Sequence, residues 1–208
     1  MFVTRLFNLA GRFLGRLLKY PTQLTQVAPP PDQQLKGPSG IRIKNFGQMD
    51  DRLYRGACPK EDDFRALAAL GINTVVDLRK KADPLERGYV EELGMQYINI
   101  PMSDTEYPRS EHINTFLNLI KDPTAGKIFI HCAGGRHRTG VIGAVYRFTV
   151  NSWSYDEVYV EMKSYDFYTR WGHRPLKTFV QDFARQPNIS SPTAGAKLTC
   201  HQNRPEPQ

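Results

Sequence analysis

The chain has 208 residues, 40% of them hydrophobic and 11% aromatic, with 28 Lys and Arg against 21 Asp and Glu for a formal charge of +7. This is enough for one domain of ordinary size with a tail at each end, and the apolar content excludes a disordered or fibrous chain. The charge sits unevenly: Arg5, Arg12, Arg16 and Lys19 precede any acid, and Lys197 and Arg204 face only Glu206, so residues 32–186 hold 22 basic and 20 acidic residues. A near-balanced domain offers no basic face for a duplex, and no nucleic-acid partner is expected.

Residues 1–20, "MFVTRLFNLAGRFLGRLLKY", set Phe2, Leu6, Leu9, Phe13 and Leu17 along one helical stripe and the four cations along another. This pattern predicts a basic amphipathic helix, interrupted by arginine too often to span a bilayer, which needs ~20 apolar residues. Four readings fit it: an anchor on an anionic membrane surface, a targeting presequence, a helix packed on its own domain, or a poorly ordered end. Residues 21–40, rich in Pro, Gln and Gly, read as a linker, and residues 187–208 as a disordered tail. Cys58, Cys132 and Cys200 are too few for a disulfide framework and form no Cys-x2-Cys pair, which suits a reducing, cytoplasmic setting. The triplet Asn188-Ile-Ser190 carries little weight as a glycosylation site.

Between the ends, strand and helix patterns alternate. "RLYRG" and "TVVDL" read as strands flanking a helix in "PKEDDFRALAALG", which Gly71 closes. "DPLERGYVEELG" is the next helix, "QYINI" the next strand, "SEHINTFLNLIKD" a helix with Ile113, Phe116, Leu117 and Ile120 at helical spacing, and "KIFI" the last strand. Helices follow in "TGVIGAVYRFTV", "SYDEVYVEMKSY" and "PLKTFVQDFARQ". Such alternation predicts an α/β fold, a mostly parallel central sheet of about four or five strands flanked by helices, with ligands beyond the strands' carboxyl ends.

One loop lies at such an end. In "FIHCAGGRHRTG" a strand runs into His131, and a helix begins near Thr139. A helix N-terminus presents unpaired N–H groups and a positive dipole end, and Gly134 and Gly135 allow a tight turn with donors pointing inward, an arrangement suited to phosphate. Cys132 in that field should ionise below the ~8.5 of a free thiol and act as a nucleophile. Arg138 can offer a planar fork to two phosphate oxygens, and Thr139 can cap the helix and hydrogen-bond the sulfur. A zinc site from His131, Cys132 and His137 competes poorly, because adjacent His and Cys lack the usual ligand spacing; His131 reads as a residue that orients the loop.

His131-Cys132-x5-Arg138-Thr139-Gly140 resembles the signature loop of the cysteine-dependent protein tyrosine phosphatase superfamily, and "LYRGACP", "LGINTVVDLR" and "YINIPMSD" stand in the order seen in small dual-specificity phosphatases. The likeness covers roughly residues 45–186 and is strongest for the atypical dual-specificity phosphatases of plants and fungi, some of which cleave inositol pyrophosphates. It implies a protein tyrosine phosphatase-like fold, a phosphocysteine intermediate on Cys132, phosphate held by Arg138 and by the loop Ala133, Gly134, Gly135, Arg136 and His137, and no metal or other cofactor. Where those relatives have lysine, this chain has Arg136; their histidine is His137. Asp104, 28 residues before Cys132, resembles the family's general acid on a mobile loop, with Glu106 as a second candidate and a cap of the following turn or a solvated side chain as the plain alternatives.

Several residues keep two readings. Arg79, Lys80 and Lys81 either hold extra phosphates or form a solvated turn, and Cys58 is a redox partner for Cys132 or a small core residue. Tyr165, Phe167 and Trp171 either wall the pocket or pack; His173 and Arg174 have no assigned role. The expected partner is a phosphorylated protein or a small polyphosphate such as an inositol polyphosphate or pyrophosphate. An idle phosphate-binding module is the rival outside the enzyme class, although it has no use for the nucleophile.

Overall fold

Strand and helix patterns settle into a sheet with helices on both faces in a computed structural model, which describes residues 41–187. The expectations for the amphipathic segment 1–20, the linker 21–40, Cys200 and the triplet at 188–190 lie outside these residues. The elements are β1 (Gly47–Gln48), β2 (Leu53–Ala57), α1 (Glu61–Ala69), β3 (Ile72–Asp77), α2 (Pro84–Glu92), β4 (Gln96–Asn99), α3 (Ser110–Lys121), β5 (Lys127–Cys132), α4 (Arg138–Thr149), α5 (Tyr155–Ser164) and α6 (Arg174–Ala184), with one 3-10 turn at Pro123–Ala125. The sheet order is β1-β2-β5-β3-β4, all parallel except the β1 edge. The expected architecture is the one found; the two-residue β1 and the three-residue 3-10 turn escaped the sequence pattern, being too short to carry a period.

β5 is the central strand. Successive side chains of a strand point to opposite faces, so Ile128, Ile130 and Cys132 join the apolar layer under α3 to α6. Phe129 joins the layer under α1 and α2, where His131 stacks on it with ring centroids 5.8 Å apart. This alternation delivers Cys132 and the neighbouring His131 to different environments.

α4 is the helix that the phosphate loop runs into, and every residue from Thr139 to Phe148 is buried. Arg147 on its far turn fixes its axis: Nε bonds both carboxylate oxygens of Glu161 on α5 (3.1 and 3.0 Å), and Nη1 donates to the Met49 carbonyl (2.9 Å) and Asn151 Oδ1 (3.0 Å). α5 itself starts on a capping box between Ser154 and Glu157. Gly47 is required because the Tyr165 hydroxyl lies 1.9 Å from where a Cβ would stand.

Removing one partner of a buried ion pair strands the other's charge. Arg147→Leu is therefore expected to lower unfolding free energy by about 3–5 kcal/mol, measured by urea denaturation. Arg147→Leu combined with Glu161→Leu should recover part of that loss.

Candidate active site

Five residues, 133–137, join β5 to α4. Gly135 has φ +65°, a left-handed conformation that disfavours side chains, and a Cβ there would stand 2.5 to 2.7 Å from the backbone of Gly56 and Ala57. Glycine is thus needed for conformation and for close approach to β2. Two carbonyls of the loop are pinned from behind: Asn45 Nδ2 donates to Gly134 O and the buried Arg55 Nη2 to Gly135 O, both at 2.8 Å. In a trans peptide the N–H opposes the carbonyl, so these bonds turn the N–H groups of Gly135 and Arg136 away from Asn45 and Arg55.

Cys132 is 3% exposed. Burial alone would push its thiol up, but the net direction is down: the Thr139 hydroxyl and N–H, the Arg138 guanidinium and the Gly134 N–H together favour the thiolate. Thr139 Oγ1 has no other hydrogen-bond partner among the described residues. Thr139 is not the helix cap expected from the sequence. His137 occupies the cap position and α4 begins at Arg138, which leaves the Thr139 hydroxyl to the sulfur. Arg138 Nη1 lies 3.5 Å from the carbonyls of Leu78, after β3, and Met102, after β4, while its buried Nε has no partner among the described residues. One edge of the fork is steadied by backbone, and a donor remains for a ligand.

Behind the sheet lies a network that the sequence did not disclose. His131 Nε2 is 2.7 Å from Glu86 Oε1, and Arg79 donates to Glu86, to both oxygens of Asp77 (2.9 Å each) and to Cys58 Sγ (3.2 Å). Tyr97 donates to Asp77 Oδ2 at 2.8 Å. Two sequence readings change here. Arg79 is not a spare phosphate ligand, since it is committed to two buried carboxylates; Lys80 and Lys81 are exposed. Cys58 turns toward His131, on the face opposite Cys132, so a disulfide between them does not fit. Its thiol is pushed up to about 12 by burial and then by Glu86. His131, Cys132 and His137 do not converge, and although Cys58, Glu86 and His131 offer atoms within 4.8 Å of one another, Arg79 already supplies their positive partner.

On the open side, Asp104 is half-buried and Glu106 exposed on the loop between β4 and α3. Arg136 lies at the rim, paired with Asp166 at 3.6 Å and facing the Tyr168 ring. The His137 ring departs from the expected substrate-facing position: it is 8% exposed, stacked on His173 at 3.7 Å and met edge-on by Tyr168 at 4.3 Å. Tyr165 packs under the Arg55 guanidinium (3.9 Å) and Phe167 is core, whereas Trp171 is 75% exposed; Arg174 opens α6. Arg55, Asn45, Glu86 and His173 were missed as site residues. A charged residue in the middle of the short strand "LYRGA" was the available signal for Arg55, since a buried arginine must find acceptors.

The sequence pattern of the tyrosine phosphatase family matches residues 40–201. Among similar proteins, the dual specificity protein phosphatase TpbA of Pseudomonas aeruginosa is 27% identical over 119 residues, 57% of this chain and 53% of that protein. The inositol diphosphatase SIW14 of Saccharomyces cerevisiae is 25% identical over 134 residues, 61% of this chain and 47% of that protein. The matched stretch therefore spans about half the length of each. Among solved structures, the core catalytic domain of SIW14 from S. cerevisiae superposes with a TM-score of 0.61 at 22% identity, covering 70% of this chain and 88% of that one. P. aeruginosa TpbA gives 0.58 at 25% identity, covering 67% and 84%.

The two described cysteines should separate by pH. Alkylation of Cys132 by iodoacetamide, followed by peptide mass spectrometry, is expected to reach its plateau at a pH below the ordinary thiol range of ~8.5, with Cys58 still unreactive there. Gly135→Ala is expected to cost about 1–3 kcal/mol in local strain and to weaken inhibition by vanadate at least tenfold.

Proposed function

The chain belongs to the tyrosine phosphatase family, and on that premise we propose that it hydrolyses phosphate monoesters of phosphotyrosine-type and dual-specificity substrates through a phosphocysteine intermediate. The observation that carries this reading is Cys132, buried at the end of β5 and held toward the thiolate by Thr139, Arg138 and the loop N–H of Gly134. The Cys132 sulfur attacks phosphorus as the ester P–O bond breaks. Asp104 passes its proton to the leaving oxygen. Arg138 and the loop N–H groups hold the equatorial oxygens as charge spreads over them. Water then attacks the phosphocysteine, Asp104 takes the water's proton, and the S–P bond breaks to release phosphate, with the Thr139 hydroxyl stabilising the departing thiolate.

The second reading keeps this chemistry and changes the substrate to an inositol polyphosphate or pyrophosphate. Relatives named as inositol diphosphatases support it, as do Arg136 at the rim and exposed Lys80 and Lys81 at the same end of the sheet. The pairing of Arg136 with Asp166 and the burial of His137 weigh the other way, leaving fewer free cations for several phosphates. A cytoplasmic enzyme brought to anionic membranes by residues 1–20 is part of the proposal. Among the described residues no helix is long and apolar enough to cross a bilayer.

Comparing kcat/KM on a phosphotyrosine peptide and an inositol pyrophosphate separates the readings; a tenfold preference for the latter would install the second. Cys132→Ser should abolish turnover on either, whereas retained activity would remove the nucleophile assignment. Asp104→Asn should lower kcat by about 10²–10⁴ with little change in KM. Sedimentation with anionic vesicles should lose the protein when residues 1–20 are deleted, and undiminished binding would dismiss the anchor.

A further inference from the structure

The loop that carries Asp104 is tied to the phosphate loop by the buried His173 side chain, beside the contact of Arg138 with the Met102 carbonyl. His173 is 8% exposed, its Nδ1 lies 2.6 Å from the Asp104 carbonyl oxygen, and its ring lies on that of His137 with centroids 3.7 Å apart and planes within 15°. A carbonyl only accepts, so Nδ1 carries the proton, and in the neutral ring Nε2 does not. The Tyr168 ring meets both imidazoles edge-on, at 4.3 and 5.4 Å, closing the stack from the side.

The turn before His173 is built for this approach. Gly172 has φ +86°, and a Cβ on it would stand 3.3 Å from Thr105 Cγ2. Trp171 also adopts a left-handed conformation, φ +53°, which a large side chain rarely takes without compensation. His137, at the other end of the contact, directly precedes Arg138. The His137 imidazole is held neutral: burial lowers its pKa to about 4, helped by His173 and Arg136 and opposed by Asp104. Around physiological pH the rings therefore stack without a charge on His137.

We infer that His173 is a positioning residue for proton transfer: its hydrogen bond to the Asp104 backbone and its stack on His137 clamp the acid-bearing loop in register with the phosphate loop. The inference rests on Asp104 as the proton donor. Such a clamp acts only where the leaving group needs a proton, which distinguishes it from a general prop for the fold.

The test compares phenyl phosphate, whose leaving group needs protonation, with p-nitrophenyl phosphate, whose leaving group needs it far less. His173→Phe keeps a ring for the stack and removes the donor; His173→Asn restores an amide donor near the position of Nδ1. In the folded full-length chain, His173→Phe is expected to lower kcat on phenyl phosphate at least tenfold with KM within about twofold. Its effect on p-nitrophenyl phosphate should stay below about threefold, and the alkaline fall of kcat/KM should flatten. His173→Asn should regain part of the phenyl phosphate rate. In an Asp104→Asn background, His173→Phe should cost nothing further. Equal losses on both substrates, or no loss, would overturn the clamp while leaving Asp104 in place if Asp104→Asn alone remains leaving-group selective. If Asp104→Asn shows no selectivity and His173→Phe does, the acid assignment falls and the clamp stands for another donor on that loop. Should His173→Phe fail to fold, Gly172→Ala, which presses on Thr105, is expected to give the same selective loss; an equal loss on both substrates there would refute the inference.

Discussion

The orientation of two peptide planes is the constraint on which the site depends. Unless the carbonyls of Gly134 and Gly135 point backward, the N–H groups that follow them cannot point at a phosphate. Asn45 and Arg55 enforce it from outside, from the segment before β1 and from β2. Arg55 is fully enclosed and lies across the Tyr165 ring, so the segment after α5 also holds the loop. A buried guanidinium is costly unless its donors are satisfied, and part of the satisfaction here is the phosphate loop itself. The loop and the arginine each supply what the other lacks.

The central strand divides labour between its faces. On one, Cys132 ends a run of Ile128 and Ile130 in the main apolar layer, where few groups but the loop donors, Arg138 and Thr139 act on the sulfur. On the other, His131, Glu86, Arg79 and Asp77 form a buried polar network beneath the base of the loop. Fixed donors are worth more in a water-poor site than mobile ones, because no reorganisation is needed as charge develops. Cys58 shares that second network, and its thiol is pushed up rather than down, by burial and then by Glu86.

The open side of the site is made by segments that follow β4 and α5. Arg138 touches the ends of β3 and β4 through Leu78 and Met102, and the stretch from Tyr165 to His173 runs from the phosphate loop to the Asp104 loop. Chemistry assembled from several chain segments is general for sheets whose ligands bind beyond the strand ends.

Much of this was written locally. Strand and helix periods gave the order of elements, and Cys132, Arg138 and the glycines of the loop were legible because a phosphate cradle at a helix N-terminus needs those residue types at that spacing. The sequence by itself determined the order of the elements, the sheet they form and the cysteine- and arginine-bearing loop at its carboxyl edge, because those follow from local periods and spacing. What it left open were contacts between residues far apart in the chain: Arg55 with Gly135, Arg79 with Glu86, His137 with His173. Arg79 and His137 looked like ligands because charge and spacing mark them so, yet long-range partners claimed their side chains. Only the tertiary structure decided which cations remain free at the rim and which imidazoles are locked away, because a side chain's availability depends on what packs against it, and that packing is not encoded in its neighbours along the chain.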